Sequence, residues 1–280
     1  MADEPIKVIQ WATGTVGIHA VPGIVAHPAL ELVGLWVHSD AKAGQDAGTL
    51  CGIDPVGVIA TQDADALLAL DADVICYTAS SDIRPDAVVD DICRMLAGGK
   101  HVVGTSFVPL LYPAAAGDGV LERLEAACQE GGTSFYTSGI DPGFGNAGLA
   151  IHTAALCREV DTIRMMEIVN YATWDNPFTM FEIMGFGKSD PSQSLLLSPG
   201  STALAWGPVI EMVAAALGEL QRCVVGSLRL HHLALPPAGH AQAVVQFAEH
   251  VQGQSGHGHG ADQALGDVPF ADRSQPFQQA

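Results

Sequence analysis

Basic residues are scarce: 12 Lys plus Arg stand against 31 Asp plus Glu, a formal charge of −19 over 280 residues. That imbalance excludes nucleic acid and anionic membrane surfaces as partners, since both reward the opposite sign. Long apolar runs are missing too, and no segment approaches the roughly 20 residues needed to cross a bilayer. No signal-peptide pattern stands ahead of Ile6. The six cysteines, at 51, 76, 93, 128, 157 and 223, show no C-x-x-C or other metal-ligand spacing. They are expected to be reduced, buried thiols, and the chain soluble and cytoplasmic.

What the chain does have is a marked beginning. Ile6 to Trp11 is an apolar run that reads as a buried parallel strand, followed by Ala12-Thr13-Gly14-Thr15-Val16-Gly17 and a helix-like segment. This supplies the second and third glycines of G-x-G-x-x-G in the strand-turn-helix context that makes the motif a dinucleotide site. Gly14 would let the backbone approach a pyrophosphate, Gly17 would let the helix pack on the strand, and the amides at the helix start would face the anion. Ala12 replaces the first glycine, which is expected to work only if φ there stays negative.

Strands and helices then alternate. Leu30 to Val37 is a second strand, and the ribose of an adenosine would be read at its end by His38-Ser39-Asp40-Ala41-Lys42. His38, Ser39 and Lys42 offer donors to a 2′-phosphate, whereas Asp40 alone could accept from a free hydroxyl. The balance favours NADP and leaves NAD open. Residues 43–53 read as loop, 55–60 as a short strand and 63–70 as a helix capped by Thr61 or Asp63. Residues 73–81 form a buried strand whose polar end places Thr78 and Ala79 beside the nicotinamide ribose. Pro85 to Ala97 is a helix with proline at its start and Gly98-Gly99 at its close. Residues 100–106 are a fifth strand ending in Thr105 and Ser106, 118–129 an amphipathic helix, and 134–137 a sixth strand. The fold class is thus α/β, a Rossmann-type doubly wound parallel sheet over residues 1–138.

An incomplete α+β substrate domain is expected over 139–222. It opens on Ser138-Gly139-Ile140-Asp141-Pro142-Gly143-Phe144-Gly145-Asn146, a constrained loop that can set amides against nicotinamide or substrate. A helix over 147–157, an antiparallel strand over 161–170, a Met- and Phe-rich helix over 176–187 and a long apolar helix over 203–220 follow. Asp141 is the leading candidate for moving a proton, with Glu167 and Tyr171 behind it. Beyond residue 223 the texture changes: six of the eleven histidines lie between His231 and His259, glutamines cluster, and no strand is expected there. Short His/Gly tracts without carboxylate or cysteine partners are not a metal framework, so none is assigned.

Trp11 to Gly14, Leu32 to Ser39 and Gly139 to Phe144 together resemble the dihydrodipicolinate-reductase-like oxidoreductases, in the branch of 2,4-diaminopentanoate dehydrogenase and the NAD(P)H-dependent amine dehydrogenases. The resemblance covers about residues 5–222. It implies a homodimer and hydride transfer between a nicotinamide and an amine, imine or related carbon of a small molecule. Two departures bear on chemistry. Amine-converting members carry a glutamate after the strand matching Val102 to Thr105, whereas Thr105-Ser106-Phe107-Val108-Pro109 has no carboxylate, and the histidine pair and lysine motif of dihydrodipicolinate reductase itself are missing. Members of the group also run on with further strands, and the atypical tail fits a truncated or frameshifted end. Beside an NADP-preferring oxidoreductase stand a dinucleotide-binding protein without turnover and a dehydrogenase of sugars or semialdehydes on the same architecture.

Overall fold

The computed structural model describes residues 4–81, 84–117, 119–160, 162–165, 171, 174, 176–218 and 249–252. Six parallel strands form one sheet in the order β3-β2-β1-β4-β5-β6. They are β1 (Ile6–Trp11), β2 (Leu30–Trp36), β3 (Ala60–Thr61), β4 (Val74–Tyr77), β5 (His101–Gly104) and β6 (Phe135–Thr137). Helix α1 (Gly17–Ala26) and the short α2 (Ala47–Leu50) lie on one face, with Val21, Ile24 and Ala47 packed on Val8, Leu32 and Leu35. On the other face α3 (Ala64–Leu68), α4 (Pro85–Ala97) and α5 (Val120–Gly131) bury Leu67, Ile92, Leu96 and Leu124 against Ile9, Trp11 and Ile75. The alternation Val8/Ile9 thus feeds both cores from the central strand, as expected for a sheet covered on both sides.

Two local expectations need correction. Residues 43–53 are not all loop, because Asp46 caps α2 with bonds from Gly48 N (2.8 Å) and Thr49 N (3.2 Å). The same carboxylate accepts from Val56 N (3.1 Å) and Gly57 N (2.7 Å). Those amides therefore cannot join a ladder, Gly57 turns at φ 81°, and the strand expected over 55–60 shrinks to Ala60–Thr61.

After β6 the chain widens into a π-helical turn at Phe144–Gly148 before α6 (Leu149–Ala154). The Met- and Phe-rich segment is also π-helical, over Phe178–Ile183. Helix α7 (Ser201–Ala216) buries Trp206 and Ile210 with Tyr171, Met180 and Leu196, and buries Val209 and Val213 with Ala147. Strand β7 (Thr162–Met165) pairs antiparallel with β8 (Glu249–Gln252), so a strand stands in the region where the sequence suggests none. Glu167 lies outside the described residues. The described cysteines are all free, but of these expected buried thiols only Cys51 is buried; Cys76, Cys93 and Cys128 are half-buried and Cys157 is exposed. No described helix is long and apolar enough to cross a membrane.

Candidate functional site

The carboxyl ends of β1, β4 and β5 converge on the turn at 12–17, where ligands of doubly wound sheets sit. A Cβ built at Gly14 meets nothing within 4 Å, whereas one at Gly17 lies 2.1 Å from the Ala12 carbonyl oxygen and 2.7 Å from Thr78 Oγ1. Gly14 therefore leaves open room outside the turn, and Gly17 lets α1 press onto the strand end. Gly14, Thr15 and Val16 are exposed. Among the described residues no side chain caps α1 and no acidic residue occupies its first turn; Ile18 N and His19 N donate to Gly14 O and Val16 O (3.0 Å each), so the amides left to face an anion are those of the turn ahead of them. These features fit a dinucleotide pyrophosphate.

Ala12 departs from expectation. Its φ is +79°, the left-handed region that costs an alanine on the order of 1 kcal/mol. Its carbonyl is turned inward, accepting from Gln10 Nε2 (2.9 Å) and lying 3.3 Å from Thr78 Oγ1. Gln10 Nε2 also donates to Thr78 Oγ1 (2.8 Å), and that hydroxyl lies 3.0 Å from the Trp11 carbonyl. Gln10 is fully buried, and its Oε1 has no partner among the described residues. The sequence marks Gln10 only as a polar residue in an apolar strand.

The loop after β2 returns to this turn. Lys42 N donates to Ser39 O (3.0 Å), folding the segment so that Lys42 Nζ donates to Thr13 O (2.8 Å) and Thr13 Oγ1 (3.1 Å). A cation thus hangs over the turn at 12–17, with His38 and Ser39 exposed beside it. Asp40, the acceptor for a free ribose hydroxyl, takes a bond from Gln62 Nε2 (3.0 Å), which also binds His38 O (2.8 Å).

On the other side Thr105 N donates to Tyr77 O (3.2 Å) and Ser106 Oγ to Ala79 O, so Thr78, Ala79, Thr105 and Ser106 form one rim. Phe107, just beyond, is left-handed at φ 63°. Burial, then the negative charge of Asp91, pushes the Tyr77 hydroxyl well above its ordinary range, which keeps it a proton-bearing structural group.

Thr137 Oγ1 and Ser138 N both donate to Gly104 O (2.9 Å each), carrying the 138–146 loop off the same sheet edge. There Asn146 acts as a bracket: its Oδ1 accepts from Gly143 N (2.8 Å) and its Nδ2 donates to Asp141 Oδ1 (2.6 Å). Trp206 Nε1 of α7 donates to the same oxygen (3.3 Å). Tyr171 is buried in the cluster containing Trp206, 5.7 Å from the Phe186 ring. Asp141 and Tyr171 are thereby drawn to one aromatic neighbourhood. Asn146 and Trp206 carry no signal in the sequence, because their partners are fixed by the loop and by α7. Among the described residues no group of His, Cys, Asp and Glu could hold a metal.

No family model matches the sequence. An amine dehydrogenase of Streptomyces virginiae is 39% identical over 214 residues, 76% of this chain and 59% of that protein, so the chain spans less than two thirds of that relative. A 4-hydroxy-tetrahydrodipicolinate reductase of a Synechocystis strain is 24% identical over 233 residues, covering 82% and 77%. In structure, the amine dehydrogenase of Mycobacterium smegmatis superposes with a TM-score of 0.65 at 18% identity, over 89% of this chain and 73% of that one, and shares its fold.

Proposed function

We propose that this chain, 39% identical over 76% of its length to an amine dehydrogenase, is an NAD(P)H-dependent oxidoreductase of the dihydrodipicolinate-reductase-like group, in its amine dehydrogenase branch. It favours NADPH and reduces an imine or carbonyl carbon of a small molecule, as a cytoplasmic homodimer. The observation that carries this reading is the open room at Gly14 beside an uncapped helix start, with the Lys42 ammonium over Thr13.

In this reading Ala12, Thr13, Gly14, Thr15, Val16 and Gly17 cradle the pyrophosphate. Lys42 takes the 2′-phosphate, helped by His38 and Ser39, while Thr78, Ala79, Thr105 and Ser106 line the nicotinamide ribose. The cofactor supplies the hydride. Asp141, held by Asn146 and Trp206, is the group assigned to handle the proton, with Tyr171 and Glu167 behind it.

Titration of the protein with NADPH and NADH, on wild type, Gly14→Asp and Lys42→Ala, tests the nucleotide site. Gly14→Asp should fold, since its Cβ meets nothing, yet lose both nucleotides. Lys42→Ala should weaken NADPH about tenfold, the ~1.4 kcal/mol of one charge-assisted contact, and leave NADH nearly unchanged. An unaltered NADPH/NADH ratio would remove Lys42 from the phosphate site. A screen of ketones, aldehydes and imines with and without ammonia then tests turnover. Intact NADPH binding with no oxidation of it would leave nucleotide binding without turnover, whereas turnover that ammonia does not raise would fit the lack of a carboxylate in residues 105–109.

A further inference from the structure

Ala12 occupies a backbone conformation that glycine adopts freely and alanine does not, so something must hold it there. Two groups reach its carbonyl, the Gln10 amide at 2.9 Å and the Thr78 hydroxyl at 3.3 Å, and Gln10 also ties itself to that hydroxyl. The Gln10 amide draws the carbonyl inward beneath the turn, on the side where Gly17 leaves room for it, while the single Thr78 hydroxyl hydrogen has the Trp11 carbonyl, at 3.0 Å, as its nearer acceptor. Gln10 does this at a cost: it is wholly buried and its Oε1 has no partner among the described residues, and a buried acceptor without a donor destabilises the fold. A methionine would fill similar space with no such cost. What methionine cannot do is donate to Ala12 O and Thr78 Oγ1.

We propose that Gln10 is the positioning residue of the nucleotide turn: its buried amide locks Ala12 in the left-handed conformation and so replaces, by hydrogen bonding, the first glycine that the motif lacks. The amides of Thr13 to Val16 are thereby presented outward. This rests on the nucleotide-binding reading for its consequence, though not for its mechanism.

The test uses the full chain as wild type, Gln10→Met, Ala12→Gly and the double variant. Three readouts are taken: thermal unfolding without nucleotide, the carbon shifts of Ala12 in alanine-labelled protein, and NADPH titration. Gln10→Met should unfold at the wild-type temperature or above, because the unpartnered acceptor is gone. Its Ala12 signals should leave their left-handed values, and its NADPH dissociation constant should rise about tenfold or more. Ala12→Gly alone should change affinity little, and in the Gln10→Met background it should restore most of the loss, since glycine needs no lock. A residue that merely stabilised the fold would give the reverse, a lower unfolding temperature not rescued in affinity by glycine.

Unchanged Ala12 shifts in Gln10→Met, or full NADPH affinity in it, would overturn the proposal. Should methionine pack poorly, Gln10→Leu, equally unable to donate, serves in its place. If wild type binds neither NADPH nor NADH, the nucleotide reading falls, and the Ala12 shifts still decide whether Gln10 holds the turn.

Discussion

Two glycines three positions apart in the nucleotide turn answer to opposite constraints. At Gly17 a methyl group would strike the Ala12 carbonyl oxygen at 2.1 Å. That atom belongs to backbone and is pinned by Gln10, so it cannot swing away as a side-chain end would. Gly17→Ala is therefore expected to cost roughly 3 kcal/mol, the upper range for overpacking, and to weaken NADPH at the same time by pushing α1 off the strand. A melting temperature equal to that of wild type would show that helix and turn can part at no expense. This steric demand is legible in the sequence, because it is local and only one residue type meets it. The sign of φ at Ala12 is not, since it depends on Gln10 and on Thr78, which comes from β4. Asn146 and Trp206 on Asp141 were hidden for the same reason: each hydrogen bond joins residues whose proximity only the folded chain supplies.

At the scale of elements, Asp46 shows how one side chain can decide where a strand stops. Burial works against its charge, yet the backbone amides of Val56, Thr49, Gly57 and Gly48 outweigh that and hold the carboxyl below its ordinary value of 3.8. A carboxyl depressed in the folded state contributes stability that is complete above its unfolded value and is lost as pH falls through the folded one. Wild type should therefore lose part of its stability below about pH 4. Asp46→Asn, which turns an amide donor toward donors, should melt lower near neutral pH and show a shallower acid decline. Equal acid limbs for the two proteins would argue against the assignment. Elements specified by their own ends were readable from sequence, as α4 shows with Pro85 at its start and Gly98 at its close. The short strand over 55–60 and the loop over 43–53 differ from the folded chain for one reason: the Asp46 carboxylate claims amides two and three residues on and again ten and eleven residues on. The π-helical segments carry no periodicity that distinguishes them from ordinary helix.

Across the whole molecule the surplus of acidic groups sets the response to salt. The surface pairs Lys7–Asp71, Arg94–Asp65 and Arg123–Asp90 contribute little and weaken as salt rises. Repulsion within the net charge of −19 weakens as well and involves many more groups. The unfolding temperature should thus rise by a few degrees between low salt and about 0.5 M sodium chloride; a fall would mean that the pairs dominate. The doubly wound order was legible because alternating apolar strands and capped helices admit few arrangements. The second region was less so, as its strand β7 finds its partner only at β8, far along the chain. The central place of β1 bears also on how the protein is made. Val8 lies between Leu32 and Val74 in register, so the first strand to leave the ribosome has one edge unclaimed until β4 has been synthesised. For that interval an apolar strand with open hydrogen-bonding groups is exposed to its neighbours, and slower translation across residues 37–73 would lengthen its dependence on holding chaperones.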